Sequence, residues 1–178
     1  MSTAVGEPPS AAAGLMYGVG LGGFVDGIVL HQILQWHHMV SATAEHPITT
    51  VAGLGVNTLA DGFFHLVTWF VVVGASIVTL VQWRQGRLPP SWRFHVGGLL
   101  AGWGGFNVVE GLLDHQLLGV HHVRDDLGGP LAWDVGFLVV GAALVVLGWV
   151  VMRSGSRALE DRGWVPTSVA AAGAGPRR

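Results

Sequence analysis

The sequence predicts an all-α membrane protein: a four-transmembrane-helix bundle made of two parallel-repeat helix hairpins, with a pseudo-two-fold axis along the membrane normal. Three observations predict it. Four stretches are apolar over the ~20 residues that a bilayer span needs. Eight of the nine basic residues, all arginine, fall on one side of those stretches. A fourteen-residue, histidine-rich pattern occurs twice, 84 positions apart.

Composition narrows the classes first. Of 178 residues, 51% are hydrophobic and 11% charged, less than half the ~25% charged residues of soluble domains. There is no cysteine, which excludes a disulfide scaffold and a thiolate metal site. A net charge of −2 without a basic stripe argues against a nucleic-acid partner. The apolar content is too high for a chain disordered throughout. The lipid bilayer remains as the expected partner.

Residues 1–12, rich in Ser, Ala, Pro and Glu, are expected to be unstructured. They lack the basic start of a cleaved signal peptide, so the first span is expected to stay in the mature protein. The membrane domain is expected over 13–153. Its first repeat covers 14–83, with spans at about 14–36 and 59–83. The second covers 94–152, with spans at about 94–118 and 131–152. Residues 154–178, rich in Gly, Ala and Arg, are expected to form a disordered tail.

Arg84, Arg87 and Arg93 lie between spans two and three, and Arg153, Arg157, Arg162, Arg177 and Arg178 follow span four. Arg124 stands alone in the other loops, beside Asp125 and Asp126. The positive-inside rule then puts both termini in the cytoplasm and segments 39–57 and 119–130 outside. Trp36, Trp83, Trp92 and Trp133 fall near span ends, as an aromatic belt does. Gly14, Gly18 and Gly22 form a small-residue ladder that lets helices approach closely, as do Gly23/Gly27 and Gly98/Gly102. Gly18-Val-Gly-Leu-Gly-Gly23 matches a dinucleotide fingerprint, but it lies inside an apolar helix with no strand before it.

The repeat runs from Asp26 to Met39 and from Glu110 to Val123, with six of fourteen positions identical. The shared pattern is acid-Gly-x3-His-Gln-x-Leu-x2-His-His. The partner spans match less well, since Asp61 faces Asp134 but His65 has no counterpart. Asp61 follows Asp26 by 35 residues and Asp134 follows Glu110 by 24, so the first connection is 11 residues longer.

Ionisable side chains inside a membrane cost ~2.5–3.5 kcal/mol each on insertion scales. At ~1.5 Å per residue, His31 and His115 lie ~8 Å below the outer rim and Asp26 and Glu110 ~15 Å below it. At ~100° per residue, Asp26 and His37 fall on one stripe and His31 and His38 on another, ~120–140° away. Imidazole and carboxylate together suit iron, zinc, manganese or Cu(II), and a bound dication neutralises buried acids. Four-helix bundles build dinuclear sites from such groups on facing helices. The candidate metal ligands are His31, His37, His38, Asp61, His65, Glu110, His115, His121, His122 and Asp134. Asp26, Asp114, Gln32 and Gln116 are candidate supporting groups or proton acceptors. His46 and His95 are expected to be incidental.

The segments 22–39 and 106–126, followed by WDVGF at 133–137, resemble the bacterial membrane-protein family catalogued as domain of unknown function 2243. The resemblance implies four spans and a place in the bacterial inner (cell) membrane. It implies no activity and no catalytic residue. It keeps open a respiratory or metallation partner.

Three functions remain in order. The first is a metalloenzyme, an oxidoreductase with a dinuclear centre of iron, copper or zinc; its repeated His-x5-His-His is similar in kind, though not in spacing, to the histidine boxes of membrane di-iron hydroxylases. The second is a metal-handling protein, a chaperone or subunit. The third is an electron carrier with haem between His31 and His115, which leaves the acids unexplained. A homo-oligomer stays open, because glycine ladders serve contacts within and between chains alike.

Overall fold

The computed structural model of the protein describes residues 9–166. Among them the chain is helical, in four elements. Helix α1 is Ala12–Val25 and continues as π-helical turns over Asp26–Ile33. Helix α2 is Val51–Arg84. Helix α3 is Trp92–Glu110 and continues as π-helical turns over Gly111–Leu117. Helix α4 is Leu131–Asp161. All four are long and apolar enough to cross a membrane.

The ends differ from the expected ones for local reasons. Helix α2 begins eight residues before position 59, because Thr50 caps it by accepting the Gly53 N–H at 3.0 Å. Polar Asn57 and Thr58 hide that start from a hydropathy reading. Helix α4 runs past Met152 to Asp161, so residues 154–161 are helix and not disordered tail. Packing holds this extension: Leu159 is buried and Gly155 lies against Phe94 at the start of α3. Residues 1–8 and 167–178, which hold most of the remaining expected disorder, lie outside the described residues, and Ala12, expected in the unstructured segment, belongs to α1.

The helices pack in the order α2–α1–α3–α4, with α1 and α3 as the central pair. The most apolar windows of the first and third spans are 44% and 39% buried, against 11% for the second and fourth. Helices α2 and α4 therefore present most of their surface outward, through residues such as Phe63, Val67, Phe70, Val139 and Val146. The central contact is backbone on backbone. A Cβ on Gly98 would lie 3.3 Å from the Gly14 Cα, and one on Gly18 would lie 2.7 Å from the Gly102 Cα. Like neighbours like, so α1 and α3 run parallel. Their C-terminal ends, and the loops leading to α2 and α4, meet at one end of the molecule, away from both described termini.

Candidate metal centre

The π-helical turns govern the site. The first begins at the acid of the repeated pattern, Asp26, and the second directly after its acid, Glu110. Leu34 donates to the Val29 carbonyl and Leu118 to the Leu113 carbonyl, each five residues back and each at 2.8 Å. In an α-helix, residues five apart point ~140° from each other. In π-helical turns they come onto one side. Asp26 and His31 are five apart, as are Glu110 and His115, so each acid joins the histidine that follows it. His31 Nε2 lies 3.0 Å from Asp26 Oδ2.

After each π segment one residue takes a left-handed conformation, Gln35 at φ 52° and Gly119 at φ 59°. This reverses the chain and brings His37 and His121 back over the helix ends. Nothing lies within 4 Å of a Cβ placed on Gly119, so only its backbone requires glycine. Gly119→Val is expected to destabilise the protein by about 1–2 kcal/mol, whereas Gln35→Gly removes strain and loses little. Thermal unfolding of the two variants checks this, and equal losses would show that φ is not what matters there.

Six side chains then face one another: Asp26, His31, His37, Glu110, His115 and His121. None is more than 5% exposed. Their ligand atoms form three overlapping triads, His31/His37/His121, Glu110/His115/His121 and Asp26/His31/Glu110, each within 4.8 Å. His31, Glu110 and His121 each belong to two triads, so the triads form one continuous cluster. The imidazoles pack edge to face, except His37 and His121, whose rings stack at 4.7 Å and 2°.

The hydrogen bonds fix which nitrogen is free. His37 Nδ1 donates to the Val123 carbonyl at 3.0 Å, and His121 Nδ1 donates to the Met39 carbonyl at 3.1 Å. His31 Nδ1 donates to Asp61 Oδ1 at 2.9 Å. A carbonyl or carboxylate only accepts, so in each neutral ring Nε2 carries the lone pair. All three Nε2 atoms are buried without a hydrogen-bond partner, as are both oxygens of Asp26 and of Glu110 and both nitrogens of His115. The 3.0 Å contact between His31 and Asp26 is an ion pair when the ring is doubly protonated, and sets a lone pair against a carboxylate oxygen when the ring is neutral. A histidine tethered through one nitrogen, with the other turned inward, is how metal-binding histidines are held. Burial, followed by the neighbouring His121 ring, pushes the His37 imidazole down to about 3. Burial and then His31 lower His121 in the same direction. Both rings are therefore neutral near pH 7, the form that ligates.

A second set of residues surrounds the six. Asp61 accepts from His31, from Gln32 at 3.0 Å, from His38 Nδ1 at 2.6 Å and from the Met39 N–H at 3.0 Å. Asp134 accepts from Gln116 at 3.5 Å, from His122 Nδ1 at 2.7 Å and from the Val123 N–H at 3.0 Å. The donors correspond at the 84-residue offset. His115 Nδ1, the counterpart of His31 Nδ1, stays 3.7 Å from Asp134.

The structure thus brings Asp26 into the inner group, where the sequence suggested a supporting place. At α-helical angles Asp26 and His31 point apart, and the π-helical turns bring them together. It surrounds Asp61 and Asp134 with N–H donors, in company with His38, His122, Gln32 and Gln116. His65 bonds the Asp61 carbonyl of its own helix at 2.8 Å and lies against Gly27, outside the triads. Asp114 is also outside them. His95 is at the opposite end, bonded to the Pro89 carbonyl at 2.7 Å. Sequence reasoning passed over Ser41 and Asn57, which hold the first loop through His38 and Val40. It also passed over the carbonyls of Met39 and Val123; their one sequence signal is that they occupy matching positions of the repeat.

A family model described as "Predicted membrane protein (DUF2243)" matches residues 13–155. No curated protein and no solved structure matches the chain.

Proposed function

The chain belongs to the domain-of-unknown-function 2243 family of predicted membrane proteins, and within that setting we propose that it is an integral membrane metalloprotein whose six-donor cluster holds a dinuclear transition-metal centre. The observation that carries this reading is the inward set of unpartnered donors: three tethered imidazoles, a fourth with both nitrogens free, and two carboxylates, all buried. Unpaired carboxylates in such a place are costly, and a cation shared among them removes that cost. Four imidazoles and two carboxylates suit iron, zinc, manganese or Cu(II). With iron or copper bound, the centre would supply oxidoreductase chemistry. By the arginine distribution, the site faces outward in the inner membrane and both described termini face the cytoplasm.

Metal handling is the second reading. It is favoured by the position of His37 and His121 on loops, where a chaperone or subunit would need mobile donors. The haem arrangement is the weakest fit, since His37 and His121 stand between His31 and His115, each in ring contact with both. The two halves read as repeats that jointly build one centre.

Metal analysis and an absorption spectrum of the detergent-purified protein test the proposal. Bound iron, copper or zinc without a Soret band is the expected result. His31→Ala, His115→Ala and His121→Ala should each lower metal content, and His95→Ala should not. Equal metal retention in all four variants would refute the assignment.

A further inference from the structure

The two loops above the cluster are fastened to each other. His37 on the first loop is held by the Val123 carbonyl of the second, and His121 on the second by the Met39 carbonyl of the first. The Ala42 N–H donates to the Val120 carbonyl and the Asp126 N–H to the Trp36 carbonyl, both at 3.1 Å. Ser41 donates its hydroxyl to Asp125.

One cation fastens this cover. The Arg124 guanidinium lies 4.4 Å from the Trp36 ring centroid and 5.0 Å from that of Trp133. The two indoles meet edge to face at 5.5 Å. Arg124 also grips both oxygens of Asp126 at 2.8 Å through Nε and Nη2. Trp36 belongs to the first loop, Arg124 to the second and Trp133 to α4, so this one stack joins three segments. The left-handed residues Gln35 and Gly119 mark where each loop leaves its helix.

We infer that the paired loops are a latched cover over the metal centre, bolted by Arg124 between Trp36 and Trp133, and that parting them withdraws His37 and His121 together to admit or release a divalent transition-metal ion. This rests on the metal-centre reading above. The coupling follows from the crossed tethers: separating the loops takes the Nδ1 partner from both rings in one movement. Asp26, His31, Glu110 and His115 belong to the helices and stay in place. Ion exchange is then set by the bolt, while ion capacity is set by the six donors.

The test uses the full-length protein in detergent, loaded with Co(II) and mixed with excess EDTA, with the loss of the Co(II) absorption followed in time. Arg124→Gln is expected to bind the same amount of Co(II) as wild type and to release it about tenfold faster. Arg93→Gln, which removes a guanidinium 5.7 Å from Trp92 at the other end of the molecule, should release at the wild-type rate. Amide exchange over 36–42 and 120–126 should quicken in Arg124→Gln, with the spans unchanged. Release within twofold of wild type, equal acceleration in Arg93→Gln, or a fall in Co(II) capacity in Arg124→Gln would each overturn the latch while leaving the metal centre standing. A wild-type protein that holds no Co(II) would overturn the metal centre and the latch with it.

Discussion

A protein carrying Asp26→Asn and Glu110→Gln is expected to lose its metal and, compared with metal-free wild type, to become more stable. Both carboxylates are buried, at 3% and 5% exposure, and their oxygens have no hydrogen-bond partners. The groups facing them are imidazoles and each other: His31 at 3.0 Å and His37 at 4.0 Å from Asp26, His121 at 3.7 Å from Glu110, and the two carboxyls within 4.8 Å of one another. The Nε2 atoms of these rings are lone pairs when the rings are neutral. Without a cation, acceptors face acceptors unless a proton is taken up between them. An amide of the same shape removes the charge and offers N–H donors to those lone pairs. The metal-free variant should gain on the order of 1–3 kcal/mol, by the general behaviour of buried charges replaced with neutral isosteres. In the presence of metal the order reverses, because only wild type gains from binding. Thermal unfolding with and without chelator measures both signs. Wild type should be destabilised by chelator and the variant indifferent to it. If metal-free wild type proves the more stable of the two, the acids serve the fold and the centre loses its main support.

The opposite signs follow from features that were unequally visible in the sequence. The spans were legible because hydropathy over ~20 residues needs no knowledge of packing. Their ends were not. Thr50 starts α2 through a cap in a polar stretch, and Leu159 and Gly155 extend α4 by packing on Phe94. The histidines and acids were legible because the same pattern occurs twice. Their division into an inner and an outer set was not, because it depends on the helical period. At ~100° per residue Asp26 points away from His31; in the π-helical turns it faces His31 at 3.0 Å. An acid five residues before a histidine, present in both repeats, was the trace of that geometry. Sequence position alone marks Arg124 and two of the tryptophans as topology and belt signals. Their stack joins residues 36, 124 and 133, a proximity that sequence spacing does not reveal.

Gly102→Val is expected to abolish metal binding from a distance, and Gly105→Val to leave it intact. A Cβ at Gly102 would collide with the Leu15 carbonyl and come within 3.0 Å of the Gly18 Cα. These are backbone atoms of a packed helix and cannot turn aside. Valine there forces α1 and α3 apart, at a cost of about 3 kcal/mol. Asp26 and His31 belong to the α1 segment and Glu110 and His115 to the α3 segment. Glu110 lies eight residues beyond Gly102, ~12 Å along the helix. Donors now within 4.8 Å of one another across that pair would be drawn out of common reach of an ion. Gly105 is three residues away on the same helix, and nothing lies within 4 Å of a Cβ placed there. Valine at 105 meets open space and should change stability by no more than about 0.5 kcal/mol. Metal content and unfolding of the two proteins in detergent decide the matter. Full metal occupancy in a folded Gly102→Val protein would mean that the close approach of α1 and α3 does not set the spacing of the donors.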